Sequence, residues 1–236
     1  MIPTQPHRHN HMNDTNNMNE QQFDLIVFDW DGTLSDSTGL IAECIQLAAG
    51  DLAFRVPTLV QAKSIIGLGL VQSTSTLFPE LSEADRTRFA ARFREHYVPR
   101  DHEATLYDGV RELLPQLQRP KRFLAVATGK PRAGLERAFE RTQLRPHFHF
   151  SRCGDEGMPK PDADMLLRLM EFANVAPQRT LMIGDTTHDL ELAQNAGVSV
   201  VGVTYGAHPR AALAARKSVA IVENVTELTA WLAQNG

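Results

Sequence analysis

Asp29 and Asp31 stand two residues apart, directly behind the apolar run Leu25-Ile26-Val27-Phe28 and just ahead of Gly32-Thr33. Further along, Thr128-Gly129-Lys130 follows the run Phe123 to Ala127, Lys160 lies between two prolines, and Asp185 follows Leu181-Met182-Ile183-Gly184. Carboxylates gathered at one point raise one another's pKa unless a cation sits among them. An all-oxygen donor set without His or Cys favours Mg²⁺, which keeps waters and bridges carboxylates to a substrate phosphate. The N–H groups around Gly32 and Gly129, the Thr128 hydroxyl and the Lys160 ammonium suit the remaining phosphate oxygens. With the charge offset, Asp29 can attack phosphorus and form an aspartyl-phosphate. Asp31 can then protonate the leaving alcohol and later deprotonate the attacking water. Gly32 permits the tight turn that lets both acids reach one centre. Asp185 would complete the metal site, with Asp189 supporting it; the spacing Thr186-x-x-Asp189 also fits a helix cap.

Such residues converge only if strand ends are brought side by side. Short β-branched runs predict strands at Leu25 to Phe28, Phe123 to Ala127, Thr180 to Ile183 and Val198 to Val203, and a weaker one at Val219 to Val222. Helical patterns separate them at Arg132 to Arg141, Ala163 to Phe172, Thr187 to Ala196, Arg210 to Arg216 and Val225 to Leu232. That alternation specifies an α/β fold with a parallel sheet covered on both faces. Ligands of such sheets bind at the carboxyl ends of the strands. About 70 residues lie between Asp36 and Tyr107, too many for a βα loop, so they must form structure of their own. Leu40, Cys44 and Leu47 are helically spaced, and Phe89, Phe93 and Tyr97 form an i, i+4, i+8 stripe that reads as core rather than as a ligand site. The expected organisation is a disordered Asn-, Gln- and His-rich tail at 1–22, an α/β core from 23–36 and 106–236, and an inserted all-helical cap domain at 37–105.

Bulk properties narrow the function classes. Twenty-four Lys and Arg against 28 Asp and Glu give a net charge of -4 with no basic block, which argues against a nucleic-acid partner. No run approaches 18 apolar residues, so no membrane span is expected. Two cysteines without CxxC spacing exclude a disulfide framework and a thiolate zinc site, and point to a reducing, cytoplasmic setting. A monomer or weak homodimer acting on a small phosphorylated metabolite fits these properties. Asp36 reads as a helix-capping acid, His188 as an exposed first-turn residue, and Lys130 stays outside the catalytic set.

The four motifs together resemble the haloacid dehalogenase superfamily of phosphatases. Phe28-Asp29-Trp30-Asp31-Gly32-Thr33-Leu34-Ser35-Asp36 resembles its first motif, Thr128-Gly129-Lys130 its second, Lys160-Pro161 its third, and Gly184-Asp185-Thr186-Thr187-His188-Asp189 its fourth. The resemblance runs from Phe23 to about Gly206, with the insertion placed as in the helical-cap class. It implies a Rossmann-like core and a Mg²⁺ ion held by the Asp29 side chain, the Asp31 backbone carbonyl and Asp185. Within the superfamily the chain looks most like phosphoglycolate phosphatases: Ile66-Gly67-Leu68-Gly69-Leu70 resembles their cap specificity loop, which assigns Gly67, Leu68 and Gly69 to substrate selection. Gly129 departs from the pattern, standing where many relatives have Asn. A phosphosugar mutase of β-phosphoglucomutase type would share all four motifs and remains an alternative. A non-enzymatic receiver-like module also uses Asp, Mg²⁺ and Lys, but needs no cap.

Overall fold

The computed structural model describes residues 23–236, so the expected tail at 1–22 lies outside the described residues. The chain begins with strand β1 (Leu25–Phe28) and a two-residue strand β2 (Ser35–Asp36). Four helices follow: α1 (Thr38–Asp51), α2 (Leu59–Ser64), α3 (Leu70–Leu77) and α4 (Glu83–Arg100). The chain returns through β3 (Thr105–Leu106), α5 (Val110–Leu117), β4 (Phe123–Thr128), α6 (Arg132–Thr142) and β5 (Phe150–Cys153). It ends with α7 (Asp164–Ala173), β6 (Thr180–Gly184), α8 (Thr187–Asn195), β7 (Ser199–Val203), α9 (Arg210–Ala214), β8 (Ala220–Val222) and α10 (Val225–Asn235).

Six strands form one parallel sheet in the order β5-β4-β1-β6-β7-β8. This is the Rossmann-like α/β fold that the alternation predicts. The strand β1 lies at its centre, and its four residues are buried on both faces because successive side chains point to opposite sides. Ile26 and Phe28 join one apolar cluster with helices α5, α6 and α10, whereas Leu25 and Val27 join a second with α7 and α8. Burying each such side chain contributes about 1.5–3 kcal/mol relative to exposure. The edge strand β5 was not expected. Its sequence Phe-Ser-Arg-Cys lacks an apolar run, and three of its four residues are only half-buried.

Helices α1 to α4 assemble around a separate apolar cluster that includes Ala42, Ile45, Ala48, Ala62, Leu77, Phe78 and Phe89. Their ends are set by local chemistry: Thr58 and Gln61 make a reciprocal capping box at α2, and Ser82 caps α4 through the Asp85 N–H. The insertion is not purely helical, because Thr105 pairs with Asp36 and Leu106 with Ser35 in an antiparallel two-stranded ribbon. Asp36 accordingly sits in β2 rather than capping α1, whose preceding residue is Ser37.

Candidate active site

Because β4, β1 and β6 are neighbours, the residues at their carboxyl ends meet. Asp29 leaves β1 with its N–H bonded to the Ile183 carbonyl at 2.9 Å, Thr128 ends β4, and Asp185 follows β6. The chain then turns sharply, with the N–H groups of Leu34 and Ser35 both donating to the Trp30 carbonyl at 3.0 and 2.9 Å. Gly32 takes φ +94 in this turn, and a Cβ there would overlap Asp185 Oδ2, so only glycine fits.

Asp29, Asp185 and Asp189 place carboxylate oxygens within 4.8 Å of one another, and all three are buried. Lys160, on the loop before α7, is fully buried and donates to Asp29 Oδ1 at 2.5 Å and to Asp189 Oδ1 at 2.7 Å. Asp189 closes the capping box that its spacing suggests, with Thr186 at the start of α8, and it also holds Lys160, a contact the sequence does not announce. Asp185 is oriented by the Thr33 hydroxyl at 2.9 Å and the Ala207 N–H at 2.7 Å. Thr128 uses its Oγ1 to accept the Lys130 N–H at 3.1 Å.

Burial pushes the Asp29 carboxyl well above the usual carboxylate range against the pull of Lys160, and Asp189 and Asp185 add to the rise. Asp185 is pushed up to about 7, again by burial first and by Asp189 second. Lys160 stays charged above the ordinary lysine range; burial opposes this, and the Asp189 and Asp29 carboxylates overcome it. Three buried carboxylates thus face one ammonium, and Asp29 Oδ2 is buried without any hydrogen-bond partner. Such a donor set suits a hard divalent cation, and Mg²⁺ fits it by charge and by ligand type.

The Asp31 carboxylate stands outside this trio. It accepts from the Ser37 hydroxyl at 2.7 Å and pairs with Lys130 Nζ at 3.1 Å. Lys130, which the sequence leaves outside the catalytic set, is thus in contact with Asp31. It is buried beneath Tyr97 of α4, 3.0 Å from the phenol oxygen and 4.9 Å from the ring centroid. Tyr97 therefore belongs to the site as well as to the aromatic stripe of the insertion. His188 is half-buried rather than exposed: its Nε2 lies 3.0 Å from the Ser64 carbonyl at the end of α2. His208 reaches the same carbonyl at 3.2 Å while its Nδ1 accepts the Thr187 N–H at 3.1 Å.

The loop of Gly67, Leu68 and Gly69 rests on the sheet ends at three points. Gly67, with φ +92, would place a Cβ 3.3 Å from Thr186 Oγ1, and Gly69 would place one 3.2 Å from Pro159 Cβ. A Cβ at Gly129 would lie 2.5 Å from the Gly67 carbonyl oxygen and 2.6 Å from that of Leu68. Between loop and sheet lies a cavity of about 310 Å³ whose floor includes Asp29, Asp31, Thr128 and Lys130. The structure brings Asp29, Asp31, Thr128, Gly129, Gly67 and Leu68 to this cavity, with Lys160, Asp185 and Asp189 behind its floor, whereas Gly69 lines the neighbouring surface groove.

Comparison with known proteins agrees with this geometry. The haloacid dehalogenase-like hydrolase family matches residues 26–203. A phosphoglycolate phosphatase from Vibrio vulnificus is 29% identical over 221 residues, covering 89% of this chain and 96% of that protein. A Dickeya dadantii protein named probable phosphatase IndB is 32% identical over 210 residues, covering 86% and 91%. Among solved structures, a Clostridium acetobutylicum protein described as a predicted phosphatase superposes with a TM-score of 0.80 at 26% identity, covering 90% of this chain and 99% of that one. Motif order, strand-end geometry and this match along most of the chain lead to one conclusion: the chain belongs to the haloacid dehalogenase-like hydrolase family.

Proposed function

We propose that the protein is a Mg²⁺-dependent phosphatase that hydrolyses a small phosphate monoester through an aspartyl-phosphate on Asp29. The observation that carries this reading is the unpartnered Oδ2 of Asp29 at the floor of a cavity, with the buried carboxylates of Asp185 and Asp189 behind it. Asp29, Asp185 and the Asp31 backbone carbonyl would hold the ion, which supplies the positive charge that keeps Asp29 ionised and offsets the phosphate. Asp29 attacks phosphorus, the bond from phosphorus to the ester oxygen breaks, and the Asp31 carboxyl gives its proton to the departing alkoxide. Asp31, now a carboxylate steadied by Lys130 and Ser37, takes a proton from water as that water attacks phosphorus. The Asp29 acyl-phosphate bond breaks, releasing phosphate and restoring both acids. Lys160 and the Thr128 and Gly129 loop would bind phosphate oxygens, and helices α1 to α4 would act as the cap that excludes water. Cys44 and Cys153 are both buried free thiols, in keeping with a cytoplasmic setting. Among the described residues no helix is long and apolar enough to cross a membrane.

The direct test is phosphate release from a panel of monoesters, phosphoglycolate included, with Mg²⁺ and after its removal by chelation. Release that is unaffected by chelation would overturn the metal requirement. A second expectation concerns stability. Asp185 binds its proton more tightly folded, near 7, than unfolded, near 3.8, so the native state holds more protons across that window. Metal-free protein should therefore lose stability as pH rises from about 4 to 7. At pH 7, Mg²⁺ at a hundredfold excess over its Kd should restore about 2.7 kcal/mol, or about 5–10 °C in Tm for a chain of this size. Thermal melts with and without the ion check both.

Lys130→Met is expected to lower kcat about tenfold or more on an alkyl phosphate, whose alkoxide needs a proton to leave. The loss should be much smaller on p-nitrophenyl phosphate, whose phenolate leaves unaided. Equal losses on both substrates would make Lys130 a packing residue rather than a partner of the acid.

A further inference from the structure

The cavity above Asp29 has walls that do not match a charged or heavily hydroxylated alcohol. Ile41, Ile45, Ile65, Ile66, Phe89 and Phe93 line it, contributed by α1, by α4 and by the chain that follows α2. Most of its polar side chains are already engaged. The Ser73 hydroxyl donates to the Ile65 carbonyl at 3.2 Å and the Thr74 hydroxyl to the Val71 carbonyl at 2.9 Å. Lys130 is shared between Asp31 and Tyr97, and Arg137 is paired with Asp101 at 3.0 Å. Arg94 forms no ion pair among the described residues, but it is exposed and lies where the cavity meets a neighbouring surface groove. At position 129, where a side chain would otherwise project toward the substrate, the Gly67 and Leu68 carbonyls occupy the space.

A hydrogen-bonding substrate leaves unpaired polar groups in such a chamber, each costing more than its bond returns. Glycolate would place its carboxylate two bonds from the ester oxygen, close to the floor, where the Lys130 ammonium is already paired with Asp31. A sugar would bury hydroxyls against isoleucine and phenylalanine. An apolar group meets no such penalty and gains by leaving water.

We propose that the alcohol of the natural phosphate ester is a hydrophobic body, an alkyl chain or nonpolar ring of several carbons, seated against Ile41, Ile45, Ile65, Ile66 and Phe93. This rests on the phosphatase reading and narrows it to a substrate class different from glycolate and from free sugars. The class of reaction that supplies such a substrate is phosphorylation of a hydrophobic alcohol, and the product released is that alcohol.

The test is kcat/KM of the full chain with Mg²⁺ for ethyl, butyl and hexyl phosphate, beside phosphoglycolate and glucose 6-phosphate. Each methylene should raise kcat/KM about three- to fourfold until the cavity is filled, placing hexyl phosphate well above phosphoglycolate. A flat or falling series, or a preference for phosphoglycolate or the sugar phosphate, would overturn the proposal while leaving the phosphatase reading intact. If none of the five esters is hydrolysed, the phosphatase reading itself falls and the proposal with it. Ile66→Asn supplies a second arm, because Ile66 is buried at the cavity yet stands outside the apolar cluster that holds α1 to α4 together. In a variant whose circular dichroism matches wild type, the chain-length slope should flatten to less than twofold per methylene. An unchanged slope would remove this wall from substrate recognition.

Discussion

Asp29→Asn is expected to cut hydrolysis of every phosphate monoester by at least about 10³-fold, the scale seen when a covalent nucleophile is lost. An amide oxygen cannot form the acyl-phosphate, and the groups that remain supply only binding and charge. The same change should not cost stability. Burial raises the Asp29 carboxyl well above its ordinary range, which means that the native fold is held at a disadvantage by this charge. Asn removes the charge and keeps the shape, so the metal-free variant should melt at or above the wild-type temperature, the usual exchange of stability for activity at a strained site. Single-turnover assays and thermal melts check the two halves. Near-wild-type turnover would mean that another group attacks phosphorus.

Lys160→Met is expected to have the largest effect on stability. Its ammonium is the single cation bonded to Asp29 and Asp189, and all three groups are buried. Breaking a buried ion pair by removing one partner costs about 3–5 kcal/mol, because the charges left behind are uncompensated. For a chain of this length that is about 6–20 °C in Tm. Combining Lys160→Met with Asp29→Asn should recover part of the loss, since one of the stranded carboxylates is then gone. A double-mutant cycle measured without Mg²⁺ reads this coupling. Additive effects of the two changes would show that Asp189 alone sets the position of Lys160.

The sequence carries the floor of this site more clearly than its roof. Asp29, Thr128 and Asp185 each follow an apolar run, and neighbouring parallel strands with adjacent ends leave such residues nowhere else to go. Gly32 is legible too, since the sharp turn just behind the two acids calls for a residue that tolerates positive φ. Lys130 is not. A lysine's default place is water, and its burial here comes from Tyr97, which lies 33 residues earlier on a helix whose orientation no local pattern sets. The contacts of His188 and His208 with Ser64 are hidden in the same way, because the group they meet is a backbone carbonyl and leaves no trace in residue type. The strands β2, β3 and β5 escape notice because two of them are only two residues long and the third is a half-buried edge.

The ribbon of β2 and β3 has a topological consequence. The insertion departs and returns through residues that face each other, Asp36 against Thr105 and Ser35 against Leu106. Antiparallel partners stand only about 4.5–5.5 Å apart, a gap that a two-residue turn can span. Neither apolar cluster flanking the main sheet draws a residue from 38–100. To the strands beneath, the whole helical block is a parenthesis: removed, it leaves two chain ends already in register to be rejoined. A different roof could be spliced in at the same two adjacent points, so that the shape above the carboxylates is free to be exchanged by recombination while the reacting groups below stay where the sheet puts them.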